Sequence, residues 1–205
     1  MTNFKNDNFD MKNGTAIGNV LNEFKDRNEY YEFTTKMIQT HFDLVKSDIQ
    51  FPNFTTDFDC EYEYNKIEEL SIMFSFVNEK FSGRAHLHDD YIEINLDSFA
   101  RRGFKSLIIH EIAHFICYWH RLDKDGFHTL DFAIVNYCLR KRILGKQENY
   151  LDSYDIHEDN AYSLLSINMC QFDSFINSIE WSTIEELCKK AKSLAMKIRM
   201  KVIAL

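Results

Sequence analysis

Residues 107–132 read LIIHEIAHFICYWHRLDKDGFHTLDF and hold four of the chain's eight histidines, His110, His114, His120 and His128. On an α-helix, residues four apart differ in direction by only about 40°. His110 and His114 therefore point the same way from successive turns, and two imidazoles so placed can grip one metal ion. Glu111 follows the first of them, where its carboxylate can reach a water on the metal without being a ligand. Leu107, Ile108, Ile109, Ile112, Ala113, Phe115 and Ile116 make the other faces apolar, so the helix is expected to be buried. Two histidines and a glutamate inside a core require a compensating role, because burying unpaired polar groups is costly.

The pattern is HExxH, in which zinc lowers the pKa of its water towards about 7 and the glutamate takes the proton as a carbonyl is attacked. A catalytic zinc takes three protein ligands and keeps one position open. His120 has the HExxHxxxxxH spacing of the metzincins, but Cys117 stands where that pattern has the glycine of a sharp turn. If the helix continues, His120 points about 120° away from His114. His128 lies 14 residues beyond His114 and follows Gly126, which can reverse the chain. A helix starting near His128 then carries its imidazole back to the first two. A downstream acid, as in the gluzincins, is the remaining option, and Glu158 in HEDNAYSLL (157–165) supplies one. His128 is the expected third ligand, with His120 and Glu158 as alternatives.

Outward from this stretch, GRAHLHDDYIEINL (83–96) alternates around Asp89–Asp90, which predicts a hairpin with a two-residue turn. LSIMFSFV (70–77) predicts a buried strand. Upstream, helical spacing runs from Ala16 to Lys46 with a break near Asp26–Asn28, after a loose arm at 1–15. Ser98 is the expected cap of the HExxH helix, with Gly103 able to split it, and another helix is expected from His128 to Ile143. Helix is also expected at 157–169. At the end of the chain, Ser182 and Glu185 form a candidate capping box. Behind it Ile184, Leu187, Cys188, Ala191, Leu194, Ala195, Ile198 and Val202 form one apolar stripe. The expected architecture is one α+β domain over 16–205, with a small antiparallel sheet packed on the HExxH helix and a C-terminal helical extension.

The net charge of −8 argues against a general nucleic-acid binder held by phosphate contacts. Basic clusters occur locally at Arg101, Arg102 and Lys105, at Arg140, Lys141 and Arg142, and in the last helix. The five cysteines (60, 117, 138, 170, 188) include no C-x-x-C pair, which excludes a zinc ribbon and a disulfide framework. The polar N-terminus has no signal-peptide core and no apolar run reaches membrane-spanning length. A reducing, cytoplasmic setting without a membrane is therefore expected.

Three segments resemble the SprT-like zinc metallopeptidases, the Spartan-related family. YIEINLDSF is similar to the strand before that family's motif, LIIHEIAHFI to its HExxH helix, and DKDGFHTLDF to its DGHGxxF turn. The resemblance covers about residues 83–143. It implies a zincin-like fold, one zinc per chain on His110, His114 and His128, Glu111 as the catalytic base, and Phe132 as the aromatic after the third ligand. It further implies a protein or peptide substrate, paired along the edge of the hairpin, and an association with nucleic acid that the charge does not support. His86 and His88 are expected to face solvent near the turn. The expected activity is that of a zinc-dependent metalloendopeptidase. The alternatives are a non-catalytic, zinc-stabilised interaction module and a metzincin- or gluzincin-type peptidase with another third ligand.

Overall fold

The computed structural model describes residues 27–49, 67–77, 81–96, 104–122, 128–145 and 169–200. They form helix α1 (Arg27–Asp48), a 3-10 turn (Ile67–Glu69), and strands β1 (Ser71–Ser75), β2 (Gly83–His86) and β3 (Tyr91–Asn95). Helices α2 (Phe104–Trp119), α3 (Leu130–Leu144), α4 (Met169–Ser178) and α5 (Ile184–Arg199) follow. The class is α+β, as expected. The arm at 1–15, Ser98, Gly103, Gly126, Glu158 and most of the segment 157–169 lie outside the described residues. The chain divides into two compact units, residues 1–47 with 69–111 and residues 48–68 with 112–205.

In the first unit, α1 spans Arg27–Asp48, and the expected helical stretch before it, from Ala16, lies outside the described residues. It buries Tyr30, Thr34, Ile38, Phe42 and Val45, a stripe at steps of four and three residues. Lys46 Nζ donates to the Leu70 carbonyl at 2.8 Å, and the Tyr31 ring lies 4.4 Å from that of Phe76.

The sheet has the order β1-β3-β2, with β2 antiparallel and β1 parallel to β3. It is mixed, which corrects the expected antiparallel sheet. Alternating hydrophobicity identifies a strand without fixing its neighbour or direction, and only the β2–β3 hairpin is local in sequence. The chain passes from one edge to the other around the end of β3, where the buried Asn95 holds it. Its side-chain Nδ2 donates to the Val77 carbonyl at 2.8 Å and the Phe81 carbonyl at 3.2 Å.

Two local expectations also change. The strand β1 is not buried, Met73 being 52% exposed, because it is an edge whose residues alternate between the sheet's two faces. The hairpin turn takes four residues, with His86 and Tyr91 as the last pair. Asp89 N donates to His86 O at 3.1 Å and only Asp90 has positive φ, at 53°. A two-residue type I′ turn needs positive φ at both central residues, whereas a longer turn built on type I needs one.

In the second unit, every residue of α3 from Leu130 to Arg140 is buried. Thr129 caps it by accepting from Phe132 N at 3.3 Å. The buried Asp131 of its first turn pairs with Arg199 of α5 at 2.5 Å. The apolar stripe of α5 packs, with Ile184, Leu187, Cys188, Ala191, Ala195 and Ile198 buried. Its cap is Thr183, not Ser182. Thr183 has extended backbone and accepts from Glu186 N at 3.1 Å, while Glu186 Oε2 accepts from Ser182 N and Oγ at 2.8 Å each. The overlapping pairs Ser182/Glu185 and Thr183/Glu186 both fit the box, and the extended residue next to the first turn wins. Among the described residues, no helix is long and apolar enough to cross a membrane.

Candidate metal centre

His110 and His114 sit on α2 one turn apart, flanked by Ile109, Ile112, Ala113 and Phe115, each fully buried. The histidines themselves are 6% and 9% exposed and Glu111 is 4% exposed. The helix does not break at Cys117. It continues until His120, whose N–H donates to Ile116 O at 3.0 Å. Arg121 then takes φ 55°, with Arg121 N on Tyr118 O at 3.0 Å and Leu122 N on Cys117 O at 2.8 Å. This is a Schellman ending with arginine in the position usually given to glycine.

The ending decides where His120 goes. Burial lowers its pKa, with the Glu185 carboxylate opposing and the Lys189 ammonium assisting. Its electrostatic neighbours are thus on α5, and it is not part of the histidine cluster. On the far side of 123–127, Thr129 links α3 back to the end of α2 through Oγ1, 3.5 Å from the Leu122 carbonyl. His128, immediately before this cap, comes within reach of His114. Their Nε2 atoms are 3.1 Å apart.

One ring nitrogen from each of His110, His114 and His128 lies within 4.8 Å of the others. Among the described residues, this is the one such group of three able to hold a metal ion. The expected three histidines converge, and His120 stays apart. Phe132 acts here in a way that spacing does not reveal. Its ring stacks on His114 at 4.3 Å and 21°, and His128 meets it edge-on at 5.1 Å and 72°. One aromatic wall therefore orients two imidazoles, and its position one turn into α3 is fixed by the Thr129 cap. Burial pushes the His114 pKa down to about 3, with the His128 ring adding to the effect. Its ring is neutral at ordinary pH, which is the state a metal needs.

The described thiols do not compete for a metal. Cys117, Cys138 and Cys188 are buried and none is in a disulfide, and burial pushes Cys138 up to about 12. His86 and His88 lie outside the cluster as expected, although His86 is engaged on the sheet. It is 2.9 Å from Glu93 Oε2 and stacks on Tyr91 at 4.2 Å.

The basic cluster at 140–142 is occupied inside the second unit. Arg140 is buried with its guanidinium 6.0 Å from the Tyr137 ring centroid. Lys141 donates to Asn177 O at 2.9 Å, and Arg142 lies over Trp181 at 3.7 Å. No family model matches the chain, and neither a curated protein nor a solved structure does.

Proposed function

We propose that this chain is a zinc-dependent metalloendopeptidase of the SprT-like kind, hydrolysing peptide bonds in protein substrates. The observation that carries this reading is the convergence of His110, His114 and His128 nitrogens within 4.8 Å, with buried Glu111 beside the first of them. Two imidazoles on one tetrahedral zinc stand about 3.3 Å apart, close to the 3.1 Å between His114 and His128. Three imidazole nitrogens are a donor set that zinc accepts, and they leave one place for water or substrate. When bound, zinc would supply a Lewis acid that polarises the scissile carbonyl and acidifies the attacking water. Glu111 would take the proton from that water and pass it to the leaving amine nitrogen. A purely structural zinc site has no use for a carboxylate in this place. The buried Cys117, Cys138 and Cys188, none in a disulfide, support a reducing, cytoplasmic setting.

The test is metal content together with one isosteric change. The purified chain should hold about one zinc, in keeping with a three-histidine site. Glu111→Gln should keep that zinc while hydrolysis of an unfolded protein such as casein falls by about 10²–10⁴-fold. A chain that stays empty after refolding with zinc overturns the reading. So does an E111Q variant that loses the metal, since Glu111 would then be a ligand.

A further inference from the structure

Gly83 opens β2, an edge strand of the sheet. Its backbone is not in the left-handed region, so conformation does not demand glycine there. Space does. A Cβ at this position would stand 2.7 Å from Glu111 Oε1, 2.9 Å from Leu107 Cδ1 and 3.1 Å from Leu107 Cγ. Leu107 and Glu111 are one turn apart on α2 and both are buried, at 2% and 4% exposure. The start of β2 therefore runs directly over the helix face from which the Glu111 side chain emerges.

We infer that Gly83 is a positioning residue for Glu111: its missing side chain forms the recess in which the carboxylate is held. The catalytic meaning of this recess rests on the peptidase reading, but the recess itself does not. A glutamate carboxylate ends a side chain with three rotatable bonds, and a proton acceptor must stand within about 2.6–3.2 Å of its partner. A methyl group at residue 83 must displace the carboxylate oxygen by at least several tenths of an ångström to reach ordinary contact. Because Glu111 is 4% exposed, that displacement also has a cost in folding, which disappears when the carboxylate is removed. Misplacement of a reacting group by about 1 Å can cost on the order of 10²-fold in rate.

The experiment compares Gly83→Ala in the wild-type chain and in the Glu111→Ala background. Three properties are read: folding equilibrium of the zinc-free protein in urea, zinc affinity against a chelator, and kcat and KM on an unfolded protein substrate. G83A should lower the folding constant of the wild-type chain, and by at least threefold less when residue 111 is alanine. Zinc affinity should stay within about threefold, because the three atoms nearest the added methyl belong to Glu111 and Leu107, and kcat should fall at least tenfold with KM nearly unchanged. An equal folding cost in both backgrounds overturns the inference, and failure of both variants to fold counts as that result. An unchanged kcat in an active enzyme also overturns it. If the wild-type chain shows no turnover, the peptidase reading fails, and the folding comparison alone decides whether Gly83 sets the position of the carboxylate.

Discussion

His114 is held on two sides, by the Phe132 ring at 4.3 Å and by His128 Nε2 at 3.1 Å. That second contact is a hydrogen bond in which one ring nitrogen donates and the other accepts; a metal held by this pair would take both nitrogens as ligands instead. The same geometry separates His128 from His120. Replacing His128 with alanine should weaken zinc binding by about two orders of magnitude or more, since it removes one of the three proposed ligands. His120→Ala should leave affinity within a few-fold, because His120 answers to Glu185 and Lys189. Chelator competition measures both, and equal losses would mean that His120 reaches the ion. The His110–His114 pair was legible because helix geometry alone aligns residues four apart. The stacking role of Phe132 was not, since it depends on how two helices are rejoined.

At the scale of elements, the ending of α2 controls the site. Cys117 correctly signals that no sharp turn occurs there, yet no residue type marks Arg121 as the one that reverses the helix. Its left-handed conformation costs a residue with a Cβ about 1 kcal/mol. Arg121→Gly should therefore raise stability by about 0.5–1 kcal/mol, read from thermal unfolding. A loss instead would mean that the arginine side chain contributes more than its backbone strain costs. The parallel pairing of β1 was equally hidden. It goes with a non-local contact, Asn95 at the end of another strand donating to the carbonyls of Val77 and Phe81. The one-residue shift of the α5 cap shows the same limit, because neighbouring Ser182 and Thr183 offer chemically equal starts.

Across the whole molecule, protonation ties the centre to stability. In the metal-free chain His114 titrates near 3 when folded, against an ordinary value of 6.5. Between these pH values the unfolded chain binds a proton that the folded chain refuses. Stability is thus fully present above pH 6.5 and is lost as pH falls towards 3, by up to roughly 1.4 kcal/mol per pH unit. Urea midpoints of the zinc-free protein at pH 7, 5 and 4 should fall in that order, and less steeply in His114→Gln. Equal slopes for the two proteins would remove His114 as the cause. Net charge was legible from composition, whereas the disposition of cations was not: Arg140 looks like part of a basic patch and is 4% exposed. The unbroken burial of Leu130–Arg140 has a consequence for how this chain can diverge. A helix with one wet face drifts freely at two positions in every turn, as the Lys- and Glu-bearing side of α5 can. From Leu130 to Arg140 α3 has no such face, so descendants of this sequence would keep an uninterrupted block of eleven constrained positions beside His128, and that histidine would inherit the permanence of its neighbours.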